Sequence, residues 1–322
     1  MKRYSDNIQG IFWIILAMFI FSFQNIAIKF INSSYPVLEI VIIRSLVALP
    51  LTIWFFRMEG GQGWPKTQQK LLEYGRGFFL FLSYTTYFMG LAALPLAEAA
   101  SIRFSAPLTI TALSVLLLGE KVGPRRWIAL IIGFAGVLFI VRPGTDSFNL
   151  GSVFVFLATI TYALALMLTR RLKAHDSSAT MAYYSVTVYL AAAFVLAPLA
   201  ALVGDRPEFH PSVAFLFRAW SMPSLLDLAI IAGLGFVWAS GMFLVARAYS
   251  LALASVAAPF EYVTLPINVM WGYVFWREIP TTATWIGAGL TLASGLYIFF
   301  RESRLKTEDA APIIEEKRAA TD

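Results

Sequence analysis

The sequence predicts an all-α integral membrane protein, ten transmembrane helices arranged as two inverted five-helix repeats. Three observations carry that prediction. Apolar runs of spanning length recur along the whole chain, its basic residues fall on alternate sides of those runs, and one half echoes the other. Apolar residue types fill 59% of 322 positions, only 14% are charged, and the mean hydropathy is +0.71. The exposed shell of a soluble domain this long stays largely polar, so this much apolar side chain must face something other than water.

The first run, Ile8–Phe30, follows the basic start MKRYSDNIQG. It is too long for a cleaved signal core and has no small-residue cleavage site behind it, so it reads as a retained helix. Val37–Phe56 is the second span and Gly77–Leu94 the third, with Pro95 separating it from the fourth, Ala97–Leu118. Gly123-Pro124 opens a short fifth span, Trp127–Val141, which Pro143-Gly144 closes. The sixth and seventh, Leu150–Thr169 and Met181–Val203, precede a polar stretch, Gly204–Pro223. Within that stretch SVAFLFRAW suits a segment lying flat at the membrane interface. Leu225–Ala246, Val256–Trp276 and Thr284–Phe300 complete the set. Most of these runs match the roughly 17–25 residues that a bilayer core demands.

Basic residues orient the spans. With the N-terminus in the cytoplasm, eighteen of the 25 Lys and Arg residues fall in cytoplasmic segments, five in outer segments, and Arg44 and Arg103 within spans. The positive-inside rule therefore places both termini in the cytoplasm. Residues 305–322, charged and without apolar periodicity, read as a disordered tail.

The repeat appears at an offset of 141 residues, which lays GIFWIILAMF over GSVFVFLATI and Lys29 over Arg170. Further along, LALASVAAPFEYVTLPINVMWGYVFWRE echoes LAALPLAEAASIRFSAPLTITALSVLLLGE; each passes a proline (Pro266, Pro107) and ends on a glutamate (Glu278, Glu120). The first repeat is 1–145 and the second 146–304. Five spans per half is an odd number, so the second copy must be threaded in the opposite sense. An inverted repeat is the architecture of alternating-access transporters, with the substrate site where the halves meet.

The same segments, together with GFAGVLFIVRPG and WIGAGLTLASGLYIF, resemble the drug/metabolite transporter (DMT) superfamily, in particular proteins with two EamA-type domains. The resemblance covers the chain to about Arg304. It implies ten helices in two inverted halves, a bacterial inner-membrane location and frequent homodimers. Its members handle amino acids, nucleosides, vitamins such as riboflavin, S-adenosylmethionine and drugs. One departure stands out: where the family usually has glycine before the second glutamate, this chain has Arg277.

Ionisable side chains at membrane depth cost about 2.5–3.5 kcal/mol each on insertion scales and so mark candidate sites. Glu261, Thr264, Asn268 and Trp271 share one stripe of the ninth span, beside Pro266, which frees the carbonyl of Tyr262. Glu98, Ser101, Ser105 and Thr109 share a stripe of the fourth, and Arg103 lies about 140° around that helix from Glu98, too far to pair with it. Glu98 or Glu261 could bind a proton or a cationic group, or each could serve a structural partner. In the first span Asn25 is the cavity candidate, while Lys29 is expected to snorkel outward. Arg44, in the second span beside Glu39, is placed rather as a structural brace than as a ligand.

Aromatic residues form a second class of candidates. Tyr84 and Tyr87 in the third span, Tyr162 in the sixth, Trp238 in the eighth, and Tyr249 and Tyr262 could stack on a flat or cationic substrate. With 15% aromatics, packing and interfacial belts account for most rings, Trp127, Trp276 and Trp285 among them. Glycines 133 and 136 of span five and 287, 289 and 295 of span ten make small-residue faces for close packing or dimerisation.

These features point to a secondary transporter of a small polar, ring-bearing metabolite, coupled to protons or running by facilitated diffusion. Export of drugs or aromatic amino acids is the alternative within the same fold. G-x-x-x-x-G-K-[ST] never occurs, so ATP is not expected to drive transport, and no cofactor or nucleic acid is expected. A membrane-embedded lipid-modifying enzyme would need a catalytic or metal constellation. The chain has no cysteine, and its two histidines, His175 and His210, fall in predicted loops.

Overall fold

In a computed structural model of the chain the described residues are 2–32, 34–106, 108–109, 112–113, 116, 123–142, 148–172, 175–206, 208–251, 260 and 263–297. Among them every regular element is helical. In chain order they are α1 (Lys2–Ile31), α2 (Val37–Met58), α3 (Lys70–Leu91), α4 (Leu96–Arg103), α5 (Pro124–Val141), α6 (Leu150–Leu172), α7 (Ser178–Val203), α8 (Pro211–Phe217), α9 (Leu225–Leu251) and α10 (Thr264–Trp276). Residues 282–297 form a further helix, α11.

Four segments are long and apolar enough to cross a bilayer unaided: Ile8–Ile31, Val37–Met58, Leu150–Thr169 and Ala179–Val203. Shorter apolar helices cover Trp127–Val141 and Leu225–Gly241. Polarity across these helices is reversed relative to a water-soluble protein. On α7 the outward face carries Phe194, Val195, Leu199 and Leu202, all exposed, while Thr180 and Ser185 are buried. Arg44, Glu73, Arg76, Ser83, Thr159 and Asn268 are also buried, and the bundle is a multi-pass membrane protein.

The bundle is knit by long antiparallel contacts. α3 lies along α6 and also touches α7; α9 lies along α1 and also touches α2; α2 lies along α7. α4 packs against α10 and α6, and α1 against α10. Glycine permits the closest of these approaches. A Cβ on Gly235 of α9 would meet the Arg44 carbonyl oxygen of α2 at 2.8 Å, and one on Gly136 of α5 would meet the Gly287 carbonyl of α11 at 2.7 Å. The small-residue faces of these last two helices therefore pack on each other, and Thr291 adds a hydrogen bond from its hydroxyl to the Gly133 carbonyl.

Several elements differ from their sequence expectation. The predicted fourth span does not run on as one helix: α4 ends at Arg103 and the chain turns through Phe104 and Ser105. Pro107 and Glu120 lie outside the described residues. In the predicted ninth span, α10 starts only at Thr264, so Pro266 sits in its first turn, where a missing N–H breaks no helical bond. The segment expected to lie flat at the interface is instead docked. Its helix α8 buries Ser212 and Phe215 against the bundle, and Arg218 donates to the Asn32 carbonyl. The tail 305–322 lies outside the described residues.

Two helix ends carry the described non-glycine residues with positive φ, Arg142 (φ 49) and Arg277 (φ 56). Arg277 ends α10 with its N–H on the Tyr273 carbonyl and the Glu278 N–H on the Gly272 carbonyl, a Schellman-type stop. Glycine would adopt this conformation without steric cost, which explains why a glycine suits the position and what Arg277 gives up.

Candidate functional site

The centre of the bundle is built around two guanidinium groups on aromatic rings. Arg44, two turns into α2, is 2% exposed. Its guanidinium carbon lies 3.9 Å from the ring centroid of Tyr84 (α3), 5.2 Å from that of Tyr189 (α7) and 5.9 Å from that of Trp238 (α9). The rings also touch one another, Tyr84 to Tyr189 at 5.9 Å and Tyr189 to Trp238 at 6.5 Å between centroids. Such stacking directs the cation at the electron-rich ring faces and removes water from it. Gly235 brings α9 against α2 at this level, which is what places Trp238 within reach.

Arg103 forms the second centre. As the last residue of α4 it stands where a cation meets the negative end of the helix. Its guanidinium carbon is 4.4 Å from the Tyr162 ring (α6) and 5.3 Å from the Tyr87 ring (α3). Its Nη1 donates to Ser83 Oγ at 3.2 Å, and Ser83 donates in turn to the Ala158 carbonyl at 2.8 Å. Helix α3 thus carries partners of both guanidinium groups, Tyr84 for one and Ser83 and Tyr87 for the other. A structural arginine is expected to brace carbonyls or carboxylates; Arg44 Nη1 has no hydrogen-bond partner, and the described ion pairs are Lys29–Glu278 and Arg76–Glu73.

Asn25 and Asn268 meet between α1 and α10. Asn25 Nδ2 donates to Asn268 Oδ1 at 3.2 Å, and three residues along each helix Trp271 Nε1 donates to Ser22 Oγ at 2.9 Å. These two bonds tie α1 to α10 and leave Asn268 Nδ2 buried without a partner. The stripe predicted for the fourth span behaves otherwise. Ser101 and Ser105 are buried with their hydroxyls turned back on the Ala97 and Ile102 carbonyls, and Thr109 returns to Ser105. Glu261 and Tyr262 lie outside the described residues, as does the side chain of Tyr249.

At the end of the bundle where α1 finishes, polar side chains close the helices together. Lys29 does not snorkel outward as expected; it pairs with Glu278, donates to the Leu94 carbonyl at 3.3 Å and lies 4.9 Å over the Trp276 ring. Glu278 also caps α4, accepting from the Leu96 N–H at 3.1 Å. Glu98 accepts from the Thr284 hydroxyl at 3.3 Å, and Arg142 donates to the Thr281 hydroxyl at 2.6 Å.

The opposite end holds a buried acid that the sequence alone did not single out. Glu73, in the first turn of α3 ahead of the predicted span, is fully buried, and Arg76 stands 3.8 Å away. Arg76 is itself buried, donating to Thr169, Ser185 and the Met181 carbonyl. Burial, joined by the Asp176 carboxyl, pushes Glu73 up to about 7 against the opposing pull of Arg76. Asp176 in turn accepts from the Thr67 hydroxyl at 2.7 Å.

Of the residues nominated from sequence, Arg44, Tyr84 and Trp238 converge on one centre, Arg103, Tyr87 and Tyr162 on the other, and Asn25 with Asn268 between α1 and α10. Glu98 stands apart at the Lys29 end. Tyr189 was missed, being one aromatic among many in MAYYSVTVYL, and Ser83 carried no signal beyond its place one residue before Tyr84.

Residues 8–142 match the model of the EamA-like transporter family. Relatives with established names align over nearly the whole chain. An S-adenosylmethionine uptake transporter of Rickettsia bellii is 28% identical over 94% of this chain and 97% of its own length. A riboflavin transporter of Vibrio cholerae is 26% identical over 90% and 93%. A pseudopaline exporter of Pseudomonas aeruginosa is 28% identical over the same shares. A solved crystal structure covers 91% of this chain and 96% of its own with a TM-score of 0.60 at 17% identity, a likeness of fold alone. The expected resemblance to EamA-type transporters is borne out over residues 8–142, and the named relatives that align over nearly the whole chain are themselves transporters.

Proposed function

Proceeding from that resemblance, we propose that this chain is a secondary transporter moving a small polar, ring-bearing metabolite across the bacterial inner membrane by alternating access. Its two inverted halves, 1–145 and 146–304, face each other across the guanidinium–aromatic centres, and both termini are cytoplasmic. The observation that carries the reading is the placement of those centres. Arg44, Tyr84 and Arg103 come from the first half, and Tyr162, Tyr189 and Trp238 from the second. A ligand held there touches both halves at once, as a rocking transporter requires.

The pattern of helix pairing supports the inversion. Exchanging α1 with α6, α2 with α7, α3 with α9 and α4 with α10 turns the α3–α6 pairing into α9–α1, and α2–α9 into α7–α3. The α2–α7 and α4–α10 pairings are their own images. Particular residues follow the same exchange: Glu73 and Tyr84 stand eleven apart in α3, as Asp227 and Trp238 do in α9. Glu73 adjoins Asp176 at one end, and Asp227 accepts from the Tyr35 hydroxyl at 2.7 Å at the other.

In this reading a proton travels with the substrate on Glu98 or Glu261, so a glutamine at the working position flattens the pH profile of transport. The test of the main proposal is counterflow in proteoliposomes with radiolabelled S-adenosylmethionine, riboflavin, aromatic amino acids and a cationic dye. Accumulation of a ring-bearing compound, lost when Trp238 is replaced by alanine, is the expected result. No accumulation of any compound by folded protein overturns it. Since one relative exports, direction is then read by comparing right-side-out with inside-out vesicles.

A further inference from the structure

Arg44 is the anomaly of the bundle. It stands two turns into α2, 2% exposed, and its Nη1 has no hydrogen-bond partner. The described ion pairs do not include it. The hydroxyl of Tyr84, whose ring lies 3.9 Å beneath that guanidinium, is likewise buried without a partner. A charge held this deep without a counter-ion costs several kcal/mol, and so does an orphaned hydroxyl on a smaller scale. Buried polar groups are almost always satisfied, so two neighbouring donors left unsatisfied ask for an acceptor from outside the chain. Stacking on Tyr84, Tyr189 and Trp238 holds the guanidinium plane without consuming its N–H groups, which keeps them available.

We propose that Arg44 Nη1 and the Tyr84 hydroxyl form a carboxylate subsite, so that the transported metabolite carries a carboxylate beside its ring. This rests on the proposed transport function and narrows its substrate class. A planar oxyanion takes one bond from each donor, and its charge offsets a guanidinium that no described residue pairs. The rings of Tyr189 and Trp238 then offer faces to the rest of the molecule. S-adenosylmethionine, with its amino-acid carboxylate, meets the requirement; riboflavin, which has no carboxylate, does not. Arg103 is a weaker candidate for the same task, because Ser83 already accepts from its Nη1.

The experiment uses matched pairs in which only the carboxylate changes: S-adenosylmethionine against its decarboxylated analogue, and tryptophan and phenylalanine against their amides. Each pair is read twice on the full chain, by competition in counterflow and by thermal stabilisation in detergent, which needs no transport. Wild type should prefer at least one carboxylate over its neutral partner by about tenfold or more, the scale of a charge-assisted hydrogen bond. That ratio should fall to near one in Arg44→Gln and drop about threefold to tenfold in Tyr84→Phe, which keeps the ring. The wild-type comparison stands even if Arg44→Gln fails to fold. Equal response to both members of every pair, or a preference that survives both substitutions, overturns the subsite. A carboxylate preference in thermal stabilisation with no counterflow of any compound keeps the subsite and discards the transport reading instead.

Discussion

Replacing Glu278 by glutamine should loosen the Lys29 end of the bundle by a predictable amount. Lys29 and Glu278 are 11% and 22% exposed in their side chains, so this pair lies nearer the buried than the surface case. Surface ion pairs contribute about 0–1 kcal/mol, whereas removing one partner of a buried pair costs about 3–5 kcal/mol by stranding the other charge. Lys29 would not be wholly stranded, since the Leu94 carbonyl and the Trp276 ring face remain. Each of those compensates about 1 kcal/mol. Glutamine can still accept from the Leu96 N–H, so the cap on α4 survives. The expected loss is therefore about 1–3 kcal/mol, or a fall in Tm of roughly 1.5–4.5 °C for a chain of this size. Tm is followed by tryptophan fluorescence in a double-mutant cycle of Glu278→Gln, Lys29→Met and the pair. The double variant should recover much of the loss, because an apolar replacement of a buried pair is close to neutral. A Glu278→Gln protein within about 0.5 °C of wild type (about a third of the smallest expected fall) would refute the reasoning and move the pair into the surface class.

Three further outcomes follow from the packing. Glu73 is raised to about 7, so it binds its proton more tightly folded than unfolded. The wild-type Tm should accordingly fall as pH rises from about 4.5 towards 7, and Glu73→Gln should flatten that slope in a melting series. Gly136→Ala drives a methyl to 2.7 Å from the Gly287 carbonyl and 2.8 Å from the Thr291 hydroxyl, costing about 1–3 kcal/mol. Gly289→Ala on the exposed face of α11 meets nothing within 4 Å and should be neutral or stabilise by up to about 1 kcal/mol; the two Tm values side by side check this. Ser177 caps α7, its hydroxyl accepting from the Thr180 N–H at 3.2 Å, and Ser177→Ala should cost about 1 kcal/mol in the same assay.

The class of the molecule was legible because hydropathy is a property of local sequence, and so was much of the candidate site. Arg44, Arg103 and the central tyrosines announce themselves by standing where polarity is expensive. What could not be read was who meets whom. Lys29 looked like a residue at a helix end reaching for water because its partner, Glu278, is 249 positions away. The serines of α4 looked like a cavity stripe, yet a hydroxyl in a dry helix can satisfy itself on the preceding turn, and spacing does not distinguish the two. Arg44 was placed as a brace because arginines at depth usually find carbonyls or carboxylates, and only its neighbours in space reveal that this one finds rings.

The crossing of α5 and α11 at Gly136 and Gly287 is a contact between main chains, each glycine pressing on the other's carbonyl. Side chains at a crossing can swap rotamers and let two helices slide; bare backbones cannot. With the Thr291 hydroxyl bonded to the Gly133 carbonyl one turn away, the two helices are held against sliding and against turning on each other. In the alternating-access cycle proposed for the chain, this pair would move as one stiff unit while the remaining helices tilt. Bulk added at either glycine would then impair motion as well as stability, and it could be compensated by no change except one that moves a whole helix.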